Sequence, residues 1–437
     1  MVIITGFCAA NRGAQRKATM NSPPPGLLRN RRRSGIAAAS AVVFSLATLG
    51  MLAGGASAGA ATAPPSSNPA LLPIDEAAMR AAVSKLRPEL LVPGAVVSLT
   101  TPDGLWVWGD GVTTWDGDEA ISADDHFRIG SVTKTFTATA ILQLVQEGQL
   151  SLDDPVSTYR PDVPNGANIS IRDLLSMRSG LYNYTEDLYL SDQMDKNPAR
   201  AWAPEELLSI SYAKPPTSAP NTEFEYSNTN YILLGLIAEK LDDKPLPDIF
   251  EDRFFDPLGM SGTTLPGTND SDVTSPHPQG YMFGTNVSTI NGARLPDDQL
   301  AAAKAGTLLP NNYTNTNPSW AWAAGSGIST IADLSRWVEA MSNGEILDAD
   351  LQKDRLENLL PTSDAPDAAL YGLGIAKLGP LYGHTGELPG FNTFAASDPV
   401  NDVTLVVWTN LAPTPMGTDP AVEIARALLG LIYAPAG

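Results

Sequence analysis

Two groups of strand-like runs stand near opposite ends of the 437-residue chain, with helical and turn-rich sequence between them. Residues 94–100 and 105–109 flank Pro102-Asp103-Gly104, and apolar runs around such a turn predict a hairpin. Residues 370–376, 391–396 and 403–408 form the second group, each with Gly, Pro, Asn or Asp nearby as a breaker. Helices are predicted over 75–86, stopped by Pro88, and over 420–432. In the middle, 171–177, 204–211 and 231–241 read as helices, and 262–317 reads mostly as loop. Strand patterns return after Ser319. Strands from both chain ends must find partners, and the economical solution is one shared sheet. The predicted fold class is therefore α+β, an antiparallel sheet built from both chain ends and flanked by helices. A mostly helical inserted region would occupy about 153–318 of a single unit spanning 73–437.

The first 58 residues read as an export leader. Arg29, Arg31, Arg32 and Arg33 precede an apolar run over 36–52, and Ala56-Ser57-Ala58 follows. Basic region, apolar core and small-residue cleavage site come in secretory order. Met20 is an alternative start, and a retained anchor is the competing reading of the run. Gly35 and Ile36 match poorly the apolar pair expected of a twin-arginine signal. Residues 59–72, rich in Ala, Pro and Ser, read as a linker. The expected location is secreted or extracytoplasmic, with cleavage near Ala58 and no stable membrane anchor afterwards.

Cleavage there would remove the only cysteine, Cys8, and with it any disulfide or thiol chemistry. The leader holds seven of the 28 basic residues and no acidic one. The remainder keeps 21 basic against 48 acidic residues, a net of −27. Such a surface argues against nucleic acid and anionic membranes as partners. A monomer acting on a small substrate is expected.

The chemistry is predicted at Ser131 and Lys134, three residues apart at the head of a helical run with Phe136, Ala140, Ile141 and Leu144 at helical spacing. That spacing puts both side chains on one face. A serine hydroxyl needs a base to become a nucleophile, and a buried lysine amine can serve. A second Ser-x-x-Lys, Ser211 to Lys214, runs into Pro215-Pro216 and need not share a helical face. Tyr226-Ser227-Asn228 offers a phenol that could ionise beside a lysine ammonium and an amide that can donate and accept. Tyr313-Thr314-Asn315 repeats the pattern as a decoy. Of three histidines, His384 sits in His384-Thr385-Gly386, where the glycine would allow close backbone approach. No His/Asp/Glu cluster has metal-ligand spacing, so neither metal nor cofactor is expected. No Gly-x-Ser-x-Gly elbow is present.

Ser-x-x-Lys, Tyr-x-Asn and His-Thr-Gly in this order resemble the penicillin-recognising, β-lactamase-related serine hydrolases. The likeness is strongest to soluble secreted D-Ala-D-Ala carboxypeptidases and class C β-lactamases. It spans about 75–432 and includes residues 128–134, 174–184, 226–230, 319–321 and 382–386. The resemblance implies that Ser131 is acylated, Lys134 and Tyr226 move protons, His384 supports Tyr226, and Asn228 orients the substrate amide. It places Thr385, Gly386, Glu387, Trp320 and Tyr189 in the substrate-binding cleft, with the N–H groups of Ser131 and Glu387 as an oxyanion hole. It implies a D-Ala-D-Ala carboxypeptidase that β-lactams acylate. An esterase, a D-amino-acid amidase or D-peptidase, a β-lactamase, and a slowly deacylating penicillin-binding protein are the alternatives.

Two departures bear on the substrate. Ala376 stands where those carboxypeptidases carry an arginine for the substrate carboxylate, and strand alternation turns Lys377 to the opposite face. Glu387 replaces a hydroxyl, and an ionised carboxylate there would repel a free-acid substrate.

Overall fold

The structure is a computed structural model that describes residues 69–365 and 368–435. The leader and residues 59–68 of the linker lie outside the described residues. We number the strands of the main sheet β1 (Gly94–Thr101), β2 (Gly104–Gly111), β3 (Leu360–Pro361), β4 (Leu370–Tyr371), β5 (Ala376–Leu378), β6 (Leu381–Leu388), β7 (Phe391–Asp398) and β8 (Val403–Thr409). Their spatial order is β2-β1-β8-β7-β6-β5-β4-β3, and every adjacent pair is antiparallel. The first hairpin thus docks, through β1 on β8, onto the last strand of the second group. Ala95 faces Thr409 and Thr100 faces Thr404. The α+β expectation holds, with eight strands drawn from both chain ends.

Every residue of β7 and β8 is buried, so both sheet faces are covered. Terminal helices Glu76–Glu89 and Pro420–Ile432 pack on each other and on the sheet, as does Ile331–Asn343. Helix Thr133–Gln146 is buried along most of its length, which explains its weak amphipathicity. Its threonines do not compete with the helix from the outside. Thr135 and Thr139 donate to carbonyls of the preceding turn, and Thr137 donates to the Ala323 carbonyl. Phe136 stacks on Trp337 with centroids 3.9 Å apart, fixing this helix to Ile331–Asn343.

Three expectations are corrected. Helices do not stop near 318: Ile331–Asn343 and Ala349–Glu357 follow before the strands resume. The Ile331, Leu334, Trp337, Val338 and Met341 spacing is the signal for the first. The run 370–376 is not one strand but two, β4 and β5, broken by Gly372–Gly374, where Gly374 takes φ +71°. The loop reading of 262–317 also omits the short helices Asn286–Asn291 and Asp297–Lys304.

Candidate active site

A single 3₁₀ turn, Gly130–Val132, carries Ser131 into the helix Thr133–Gln146, so the serine sits at the junction and Lys134 one turn along. Gly130 takes φ +53°, and a Cβ there would lie 2.5 Å from the Glu387 nitrogen. A Cβ on Gly386 would lie 1.9 Å from the Ile129 carbonyl oxygen and 3.2 Å from the Ser131 nitrogen. Two glycines thus let β6 press against the serine turn, backbone on backbone. The N–H groups of Ser131 and Glu387 become neighbours for that reason.

Lys134 is fully buried, and its Nζ lies 2.9 Å from Ser131 Oγ, 2.7 Å from Asn228 Oδ1 and 2.6 Å from the Ala324 carbonyl oxygen. A neutral amine has two N–H donors and one lone pair. Two of its three neighbours can only accept, so the lone pair is left to face the serine hydroxyl. Burial drives the lysine pKa well below its ordinary value. Geometry and burial agree on a free amine poised as a base.

Tyr226 corrects an expectation. Its hydroxyl hydrogen-bonds Ser131 and its ring lies 4.9 Å from Lys134 Nζ, so it stands at the nucleophile. Burial nonetheless pushes its pKa up, outweighing that hydrogen bond. The phenol stays protonated and is a donor, not a phenolate. Asn228 opens helix Asn228–Asp242, with its Oδ1 on Lys134 and its Nδ2 donating to Thr185 Oγ1 at 3.1 Å.

His384 lies in β6 with its ring 6.3 Å from that of Tyr226, centroid to centroid. Its nitrogens point elsewhere: Nδ1 is 2.5 Å from the Thr385 carbonyl oxygen and Nε2 is 3.1 Å from the Tyr371 hydroxyl. The contact with Tyr226 that the geometry gives is ring against ring. Burial, and next Lys134 in its protonated form, hold the imidazole pKa down to about 3.

Glu387 and Trp320 line a cavity of about 90 Å³ together with Thr185, Leu190, Met194 and Pro389. Thr385 and Glu387 are two positions apart on β6 and share a face. Glu387 is hydrogen-bonded to Asp419, and burial and the Asp419 charge push its carboxyl well above the usual range. Asp419 is raised too, first by burial. The expected free carboxylate is instead a carboxyl pair holding a proton. Ala376 is buried against Gly383, and Lys377 sets its Nζ 5.0 Å over the Tyr382 ring.

Tyr189, expected in the cleft, is 50 % exposed, stands edge-on to Trp202 and takes a hydrogen bond from Arg200. It is Leu190, about 100° around the same helix, that reaches the cavity. The second Ser-x-x-Lys comes apart: Ser211 donates to the Tyr182 carbonyl and Lys214 pairs with Asp187. Sequence reasoning missed Ala324, Thr185, Tyr371 and Asp419. No local spacing announces them, because each arrives from a distant segment.

The family model described as Beta-lactamase matches residues 79–429. The chain belongs to the beta-lactamase family. Among curated relatives, it is 29 % identical over 333 residues to "Protein flp" of Staphylococcus aureus (strain MW2), covering 73 % of this chain and 60 % of that protein. The chain thus spans about 60 % of the length of the curated relatives it matches. Its fold superposes on a D-stereospecific amidohydrolase from Streptomyces sp. with TM-score 0.68 and 28 % identity, covering 81 % of this chain and 98 % of that one. The D-amino acid amidase from Ochrobactrum anthropi SV3, complexed with L-phenylalanine, gives 0.69 and 26 %, covering 81 % and 97 %. The fold is that of the β-lactamase and penicillin-binding serine hydrolases. Among the described residues, no group of His, Cys, Asp and Glu could hold a metal, and no helix is long and apolar enough to cross a membrane.

Proposed function

We propose that this chain is an exported serine acyl-enzyme hydrolase that cleaves amides of D-configured amino-acid derivatives. Ser131 Oγ attacks the carbonyl carbon while Lys134 Nζ takes its proton. The oxyanion falls between the N–H groups of Ser131 and Glu387, each worth about 3 kcal/mol to the transition state. Tyr226 gives its proton to the leaving nitrogen and is reprotonated from Lys134. The acyl–Ser131 ester is then hydrolysed by water, whose proton returns along the same pair. Asn228 holds Lys134 and offers its amide to the substrate, with Trp320 as an apolar wall.

One observation carries the choice of substrate: Glu387, whose backbone abuts the Ser131 turn, lines the cavity while its carboxyl bonds Asp419, and no arginine stands at position 376. A terminal carboxylate meets no cation among the described lining residues. The amidohydrolase and amidase neighbours support the same reading. The D-Ala-D-Ala carboxypeptidase is the second reading, favoured by Thr385, whose hydroxyl shares the Glu387 face of β6. The test is kcat/KM for a matched D-amino-acid amide and its free-acid dipeptide counterpart, in wild type and Glu387→Thr. The amide should be preferred, and the substitution should narrow the ratio by about tenfold, or roughly 1.4 kcal/mol. Equal ratios in the two proteins would return the carboxypeptidase to first place.

A further inference from the structure

We propose that Tyr371, backed by Tyr231 and Arg355, is a positioning residue that fixes His384 as a neutral Nδ1–H imidazole. His384 then acts as a static wall of the site and carries no proton in the reaction. The argument is a count of protons in a sealed network. His384 Nδ1 lies 2.5 Å from the Thr385 carbonyl, which can only accept, so Nδ1 carries hydrogen. Nε2 lies 3.1 Å from the Tyr371 hydroxyl. That hydroxyl also meets Tyr231, whose own proton goes to the Leu175 carbonyl at 3.0 Å.

Tyr371 therefore has one proton and two claimants. Giving it to Tyr231 would require a second hydrogen on the imidazole and so a buried cation. Arg355 faces the tyrosine pair without a carboxylate among the described residues, and Lys134, which takes up a proton during acylation, faces the same space as His384. Burying an imidazolium next to both is the costly choice. Giving it to Nε2 keeps the ring neutral and spends every proton on an acceptor.

Arg355 makes the second arrangement tolerable. It is fully buried in helix Ala349–Glu357, and its Nη1 donates to Thr139 Oγ1 at 2.9 Å. Its Nε and Nη2 have no hydrogen-bond partner among the described residues. The unpaired guanidinium draws the oxygens of Tyr231 and Tyr371 toward itself, and their protons turn away, to Leu175 and to His384. The groups facing His384 are then Lys134 from the serine helix, Tyr226 from the loop before Asn228, and Tyr371 from β4. Tyr231 and Arg355 stand behind Tyr371.

The kinetic consequence rests on the hydrolase reading, but the tautomer does not, so two readouts separate them. The chain has three histidines, and His126 and His277 lie outside this network. In ¹⁵N-histidine spectra of the intact protein, the ring assigned through His384→Gln should stay neutral from pH 8 to 5 and show an Nδ1–H tautomer. An Nε2–H tautomer, or a His384 that gains charge above pH 5, overturns the proposal whatever the activity. Tyr371→Phe should change the His384 Nε2 resonance and lower kcat by about tenfold with KM nearly kept. A kcat loss with an unchanged His384 spectrum would mean that Tyr371 serves packing alone, and the proposal falls.

Discussion

At the scale of residues, Lys134 governs what can be measured most directly. If its free amine is the base, kcat/KM should rise with pH along a limb lying well below the ordinary lysine range, because burial lowers that pKa. Lys134→Arg places a cation that never yields its proton, and acylation should fall by about a hundredfold or more, followed with a fluorescent penicillin. Ser131→Ala should abolish labelling and Ser211→Ala should leave it, since Ser211 is tied to the Tyr182 carbonyl. Glu387 makes a stability prediction of opposite sign to a paired carboxylate. Its folded pKa is raised, so the native state binds more protons than the unfolded chain and loses stability as pH rises above the ordinary carboxyl range. Glu387→Gln should therefore raise Tm at pH 7 and leave it nearly unchanged at pH 4. A gain equal at both pH values would show that the pair does not hold a proton. The residues legible beforehand were those bound by local spacing: Ser131 to Lys134, Tyr226 to Asn228, His384 to Gly386. Tyr371 and Asp419 were not, because their meaning comes from partners 13 and 32 positions away that only the sheet brings near.

At the scale of elements, the site depends on a strand lying flush against a turn. Gly386→Ala would drive a methyl into the Ile129 carbonyl and lever β6 away from Ser131. Overpacking of this kind costs about 1–3 kcal/mol in stability. The acylation rate should fall much further than the melting temperature, because the two oxyanion donors separate. A loss of acylation no larger than the loss of stability implies would argue against the shared oxyanion role. Hairpin β1–β2, strands β7 and β8, and helix Pro420–Ile432 matched their expected positions closely, since each has clear periodicity and a breaker at its ends. Helix Ile331–Asn343 is missed because the strand-like runs that follow it dominate the reading after Ser319, although its apolar stripe is strong. The Gly372–Gly374 turn that separates β4 from β5 was masked by the apolar residues around it.

At the scale of the molecule, export is the proposal with the simplest check. The protein recovered from culture medium should begin just after Ala58, by N-terminal sequencing, and intact mass should show loss of the basic leader. A product that keeps residues 29–52 would favour the anchor. One feature of the fold reaches beyond catalysis. Leu71 bridges Tyr433, the Leu72 N–H donates to the Ile432 carbonyl, and the Ala434 N–H donates to the Ala70 carbonyl. The first and last described residues of the unit are stitched side by side. A body with adjoining ends behaves as a cassette: it can be spliced into a longer polypeptide at one point without being stretched. The curated relatives, in which this stretch accounts for about 60 % of the length, are where such splicing would be looked for.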